Sequence, residues 1–271
     1  MIRRKLDNFF TFAKLFGFKH ALLFSVNYVL DYNVRNKKKK VLNHLVNMYG
    51  NNVVHGPFKG LSLGDESWWG GLDSTSKILG VYEDHIATKI FSFSKIKSTF
   101  VDIGAADGYY ANGVAYADWF DSIIAFEENV KGQKIIESNA ISNGVANKIQ
   151  IFGRADYESI RSVINKVSSG VFLIDIEGGE YGLLDSEVLE LLQGSYVIIE
   201  LHPWLIKDGY AMQDELIRNA EKFFDVSVAH RANYNPNEFT ELNDFTDDER
   251  LLSLSEGRTK NMEWLILQPR G

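Results

Sequence analysis

The sequence predicts an α/β fold: a Rossmann-like sheet of five parallel strands closed by a terminal antiparallel pair, with helices on both faces and an N-terminal helical appendage. Three observations predict it. From Thr99 onward, short apolar runs alternate with longer amphipathic ones. The first run ends in a turn with two glycines four apart, Gly104 and Gly108. Near the end the rhythm breaks, where two strand-like runs flank an acidic stretch with no full crossover helix. Alternation of this kind marks βαβ units, whose strands are covered on both faces and so read as continuous apolar runs.

In chain order, residues 1–50 read as helical and 51–98 as mixed, with glycine-rich loops. Residues 1–95 are therefore expected to form a mostly helical appendage, and 96–271 the main domain. The parallel strands are expected at 99–103, 122–126, 148–152, 171–176 and 195–201. Phe224–His230 and Met262–Leu267 are the expected antiparallel pair.

The chain of 271 residues has no cysteine, which excludes disulfides, thiolate metal sites and a cysteine nucleophile and fits a cytoplasmic location. Charge is uneven: ten Lys/Arg against two Asp/Glu in residues 1–50, net +8, and net −15 in the remainder. The basic part holds Lys37–Lys40 and the aromatic set Phe9, Phe10, Phe12, Phe16 and Phe18. No apolar run there reaches the roughly 18 residues that span a bilayer. The segment reads either as a peripheral contact with an anionic membrane face, or as a helical appendage with packed phenylalanines and solvated lysines. Nucleic acid is disfavoured as a partner because the rest of the chain is acidic.

The turn Asp102-Ile103-Gly104-Ala105-Ala106-Asp107-Gly108-Tyr109 joins a strand to a helix N-terminus, a ready cradle for a polar ligand. A dinucleotide fingerprint would read G-x-G-x-x-G; here Ala106 stands in place of the glycine that admits a pyrophosphate. A nucleoside without pyrophosphate, such as S-adenosylmethionine (SAM), fits better. Glu127, at the tip of the second strand, is placed to accept the hydroxyls of a ribose. Alternatively it caps the helix that Glu127, Glu128 and Asn129 precede. Asp156 is read as an acceptor for the adenine amine or as a helix N-cap, and Tyr109 and Tyr110 as pocket walls, one of them core.

At this point the motifs resemble those of FkbM-type methyltransferases. Val101-Asp102-Ile103-Gly104-Ala105-Ala106-Asp107-Gly108 is similar to their first SAM motif, and Ala125-Phe126-Glu127 to their second-strand acid. Leu173-Ile174-Asp175-Ile176-Glu177-Gly178-Gly179-Glu180 resembles their fourth-strand signature, and Val197 to Pro203 their fifth-strand segment. The four motifs cover roughly 99–203. Two departures stand out: Leu173 where relatives often carry lysine, and Gly179 for the commoner alanine. The resemblance implies a class I SAM-dependent methyltransferase sheet, with 96–271 as the SAM-binding domain. It further implies methyl transfer to a hydroxyl of a sugar, glycan, glycolipid or secondary metabolite. The rival readings are a nicotinamide (NAD(P)) oxidoreductase and a nucleic-acid methyltransferase; the latter lacks its usual Asn/Asp-Pro-Pro-aromatic tetrapeptide here.

Methylating a hydroxyl requires alignment and a group to take the proton. His202, held extended by Pro203, is the expected base, with Asp175 and Glu177 beside it. Asp102, Gly104, Ala105, Gly108, Tyr109, Glu127, Asp156 and Asp175 are the expected cofactor contacts. Lys59, Trp68, Trp69 and Glu200 are the expected acceptor contacts. No metal is expected; Asp175, Glu177, Glu200 and His202 are an alternative set for Mg²⁺ or Mn²⁺. Glu180 opens the next helix, as a catalytic neighbour or a simple complement to its N-terminus. Residues 247–250 and 256–258 read as a lid or as solvated loop charges.

Overall fold

The computed structural model describes residues 18–270 apart from 69, 70, 72, 232 and 259, and gives 18–31 as backbone only. A long helix, α1 (Phe18–Tyr49), leads into two shorter ones, α2 (Ser74–Leu79) and α3 (Asp84–Ser94). Alternating units follow: β1 (Thr99–Ile103), α4 (Tyr109–Tyr116), β2 (Ser122–Phe126), α5 (Val130–Ser142), β3 (Ile149–Phe152), α6 (Tyr157–Val167) and β4 (Val171–Ile174). After them come α7 (Glu180–Leu183), α8 (Ser186–Leu191), β5 (Tyr196–Leu201), α9 (Gly209–Ala220), β6 (Phe224–His230), α10 (Asp247–Leu254) and β7 (Glu263–Pro269).

One sheet holds all seven strands in the order β3-β2-β1-β4-β5-β7-β6. The first five are parallel, and β7 is antiparallel to both β5 and β6. This is the expected layout. The strand order reverses direction between β1 and β4, and a crevice opens beyond the carboxyl ends of such a pair.

Strand residues alternate between two cores, as a period of two requires. Phe100, Ile123, Leu173, Ile198 and Trp264 face Phe58, Ile86, Ile90 and Val114; Val101, Ile103, Phe172, Ile174 and Leu265 face Ile160, Val188 and Leu216. Residues of the 51–98 segment, Val53 and Phe58 among them, thus belong to one of the two layers covering the sheet.

Five strand ends move, two of them by one residue at the starts of β5 (Tyr196) and β7 (Glu263). β3 starts at Ile149 because Ala146–Lys148 is a 3₁₀ turn. β4 stops at Ile174 because the chain turns back at Glu177 and Gly178, with φ of 51° and 97°. β7 runs to Pro269, two residues past the expected end, in register with Phe224.

The lysine run is not simply solvated. Lys37 pairs with Asp248 (2.6 Å), Lys40 with Glu249 (2.8 Å), and Lys38, buried, donates to the Ser255 carbonyl (2.6 Å). Burial, eased by acids nearby, lowers the Lys38 ammonium to about 8. Their partner is α10, whose N-terminus is closed by a reciprocal Thr246–Glu249 capping box. Val41 and Leu45 of α1 pack with Leu242 and Leu254 beneath these pairs. The aromatic set at Phe9, Phe10, Phe12 and Phe16 lies outside the described residues, and only backbone is given at Phe18. Among the described residues no helix is long and apolar enough to cross a membrane.

Trp264 is among the largest fully buried side chains and sits mid-strand in β7, which ties β6 to the parallel strands. Trp264→Ala is expected to cost about 3–5 kcal/mol, read as a lower denaturant midpoint with little change in slope.

Candidate active site

A cleft of about 890 Å³ lies at the carboxyl ends of β1, β2 and β4. Its base is the turn after β1. Gly104 (φ 90°) passes so close to β4 that a Cβ there would sit 1.8 Å from the Asp175 carbonyl. Both Gly104 and Ala105 donate their N–H groups to Phe126 O (2.9 and 3.0 Å), tying the turn to the tip of β2. Ala106 adopts φ 50°, the left-handed conformation a glycine would take there, at a cost of about 1–2 kcal/mol.

Glu127 secures that conformation. Its carboxylate accepts the Ala106 N–H (2.8 Å) and the Asn129 N–H (2.7 Å). The cap of α5 is Asn129, which accepts from Lys131 N–H, so Glu127 is not the capping residue. Burial pushes the Glu127 carboxyl above its ordinary range, against these two hydrogen bonds. Trp68 covers the same turn: its indole N–H donates to Ala106 O (3.2 Å), and Ser67 and the Trp68 N–H both bind the Asp107 carboxylate. Trp68 therefore borders the cleft beside Glu127. Trp69 lies outside the described residues.

Asp102 is buried beneath the turn and accepts the Ala111 N–H of α4 (3.1 Å). Burial, with Asp175 nearby, pushes its carboxyl up to about 8. Tyr109 and Tyr110 both line the cleft. Tyr110 is the buried one, donating to Glu83 (2.7 Å), whereas Tyr109 is half-buried and meets Phe58 and Tyr82 edge-on. Asp156 lies on the cleft wall and is the N-cap of α6, in a capping box with Ser159, so both of its expected positions coincide.

The opposite wall carries Asp175 and Glu177. Although β4 ends before them, the turn at Glu177 brings both carboxylates to the cleft. Behind them stands His202, only 1% exposed and off the cleft wall. Its Nε2 lies 3.6 Å from Glu177, 3.6 Å from Glu200 and 3.9 Å from Asp175, and its Nδ1 lies 3.3 Å from Glu180. Burial opposes a charge on the imidazole, but Glu180, Asp175 and Glu177 outweigh it and raise its pKa. Burial and Asp175 together raise Glu177, and push Glu200 up strongly. His202 is not extended as expected: ψ is 52°, because Pro203 opens a 3₁₀ turn closed by Leu205 N–H on His202 O. That turn draws the imidazole behind the acids, so it does not meet an acceptor directly.

Two expected acceptor contacts are elsewhere. Lys59 is exposed in the turn after Phe58 and does not line the cleft. Glu200 is fully buried, with Oε1 on Arg258 Nη1 at 2.5 Å. Arg258 also binds Glu83 and Glu256 (2.8 Å to the latter), a three-carboxylate clasp far from a solvated loop. Glu180 is more than a helix-end charge: fully buried, it accepts Gly178 N–H (2.8 Å) and His202 N–H (3.0 Å), joining the β4 turn to β5. Nothing local in the sequence marks Glu83 as a partner of Arg258, 175 residues away. The Glu256-Gly257-Arg258 run was visible only as charge.

No family model matches the chain, and no curated protein does. Among solved structures, the chain is similar to an O-methyltransferase of tomaymycin synthesis from Streptomyces achromogenes, solved with SAM (11% identity, 75% of this chain and 90% of that one, TM-score 0.47). It is also similar to a precorrin-6y C5,15-methyltransferase from Geobacter metallireducens (14%, 69% and 89%, TM-score 0.46). A third is a precorrin 8w decarboxylase from Methanobacterium thermoautotrophicum (16%, 69% and 91%, TM-score 0.43).

Two outcomes follow from these charges. Arg258→Met strands the buried carboxylates of Glu83 and Glu200, leaving Glu256 to Arg231 (3.0 Å), and is expected to cost about 3–5 kcal/mol by chemical denaturation. For Asp102 the folded pKa is about 8 against 3.8 for the free group, so between those values the folded state holds a proton that the unfolded state has lost. Stability should therefore fall as pH rises from 4 to 8, by up to about 5 kcal/mol at 1.36 kcal/mol per unit. Asp102→Asn keeps an acceptor for Ala111 and removes this penalty. Its melting temperature should exceed the parent's by a margin that widens from pH 5 to pH 8; a constant margin would contradict the assignment.

Proposed function

We propose that the chain is a SAM-dependent methyltransferase of the FkbM type, methylating a hydroxyl of a small molecule or glycan. One observation carries the choice of cofactor. Among the described residues lining the cleft are eight carboxyl groups and two cations, Lys77 and Arg154. Lys77 is paired with Asp73 (2.6 Å), and Arg154 lies 3.8 Å from Glu128. A cleft of this sign favours a cationic nucleoside and disfavours the pyrophosphate of a dinucleotide. The left-handed alanine at position 106, in place of a glycine, points the same way.

In this reading Glu127 holds the ribose hydroxyls, since each carboxylate oxygen retains a lone pair beyond the backbone bond it accepts. The Gly104–Ala106 backbone and Trp68 form the floor beside it, and Asp156 faces the adenine. The cofactor supplies a methyl group already activated by a cationic sulfur. What the chain adds is alignment and proton removal, the first worth up to about 7–11 kcal/mol in well-oriented systems. Glu177 takes the acceptor's hydroxyl proton: it is half-exposed on the cleft wall, and burial with Asp175 beside it raises its pKa, which strengthens it as a base. His202, at 3.6 Å, is a positioning partner whose backbone N–H is held by Glu180. The cleft volume is near the upper end for small-molecule sites, about 300–1,000 Å³, which leaves room for an acceptor.

Calorimetry with S-adenosylhomocysteine and with NAD separates this reading from an oxidoreductase: tight binding of NAD alone would overturn it. Glu127→Ala should weaken S-adenosylhomocysteine binding by about 10–100-fold, the worth of charged hydrogen bonds. Glu177→Gln should leave that binding unchanged and lower kcat by about 10²–10⁴, scored by mass spectrometry as loss of a methyl gain on the acceptor. Unchanged turnover in Glu177→Gln would remove it as the base.

A further inference from the structure

We propose that Asp175, Glu200 and His202 hold a divalent cation, magnesium or manganese, at the cleft wall that carries Asp175, where it orients the acceptor's hydroxyl. One ligand atom from each of the three lies within 4.8 Å of the others. Asp175 Oδ1, Glu200 Oε2 and His202 Nε2 are all shielded from solvent and have no hydrogen-bond partner. Glu200 and His202 are also buried as whole residues, which makes unpartnered polar atoms costly there.

The surroundings explain why these atoms are left over. Arg258 takes the other oxygen of Glu200, and its remaining nitrogens are engaged by Glu83 and Glu256. Glu180 is satisfied by two backbone N–H groups, and its Oε1 sits 3.3 Å from His202 Nδ1. Glu180 stands beside Nδ1 without hydrogen-bonding it, and Nε2 is the ring nitrogen that faces Asp175 and Glu200. Arg258 binds Glu200 through Oε1, leaving Oε2 as the oxygen that faces His202. Adjacent carboxylate oxygens repel there unless a proton or a metal ion lies between them.

The donor set selects the ion. Two carboxylate oxygens and one imidazole nitrogen suit a hard cation that keeps water or substrate oxygens in its other positions. Ligands about 2.1 Å from an ion stand about 3.0 Å apart along an octahedral edge, so the observed 3.6 and 3.9 Å from Nε2 close by less than about 1 Å on binding. Asp175 lines the cleft and so gives the ion both an access route and an open side facing the acceptor. Glu177, on that open side, remains free to take a proton. The orienting role rests on the methyltransferase reading; the binding itself does not.

The test uses the chelator-stripped full chain and Mn²⁺ as probe, followed by electron paramagnetic resonance. One Mn²⁺ per chain is expected, displaced by Mg²⁺, with a ¹⁴N coupling from a single imidazole in the pulsed spectrum. Asp175→Asn and His202→Gln should each weaken binding by about tenfold or more. No bound Mn²⁺ at about 1 mM, or equal affinity in both variants, leaves a proton shared between Asp175 and Glu200 and overturns the site. If a variant misfolds by circular dichroism, the parent's ¹⁴N coupling decides, its absence being equally fatal. S-adenosylhomocysteine calorimetry on the same samples keeps the two readings apart: binding of that nucleoside without Mn²⁺ sinks the cation alone, and Mn²⁺ without the nucleoside sinks the cofactor.

Discussion

The close approach of β1 and β4 governs the whole carboxyl edge. With no Cβ at Gly104, the Asp175 carbonyl can lie against the turn, and Asp175 N–H donates to Ile103 O at 2.9 Å, extending the parallel ladder by one bond. Asp175 is thereby fixed before the chain leaves the sheet. The reversal at Glu177 and Gly178 then brings a second carboxylate to the same wall, and Glu180 reaches back to bind both Gly178 and His202. Four motifs that are separate in the chain become one surface because two backbones touch.

That surface concentrates negative charge, and the protein disposes of it in three ways. Backbone N–H groups hold Glu127 and Glu180. Arg258 holds Glu83, Glu200 and Glu256 from inside the fold, with Arg231 on the second oxygen of Glu256. The remainder, Asp175 and Glu177 with the free oxygen of Glu200, faces the cleft or the His202 ring. Buried carboxylates are tolerated only when paired or protonated, so this residue of charge is where chemistry with a cation belongs. The same imbalance raises the pKa of Glu177, through burial and Asp175, and that of His202, whose acidic neighbours outweigh its burial.

The opposing charges of the two ends of the chain meet within one molecule. Lys37, Lys38 and Lys40 of α1 grip the acidic helix α10 and its C-terminal cap, Ser255, so the basic run and the acidic excursion before β7 are partners. The clasp sits above a small apolar cluster of its own, formed by Val41, Leu45, Leu242 and Leu254. Exposed ion pairs contribute little, about 0–1 kcal/mol each, so the apolar contacts beneath are what hold α10 in place.

Local pattern was enough for the strands, the turn and the order of the motifs. Thr99–Ile103 and Ser122–Phe126 fall where apolar and β-branched runs put them, since burial on two faces writes itself into every residue of a strand. Asp102, Gly104, Glu127 and Asp175 were legible too, because each sits at the end of such a run. The depth of His202, the capture of Glu200 by Arg258, the bridging of Glu180 and the pairing of the lysines were not. Each depends on a residue 20 to 220 positions away, or on a proline turn that swings one ring behind its neighbours. Periodicity reports which way a side chain points from its own strand; only the packed sheet decides what it meets there.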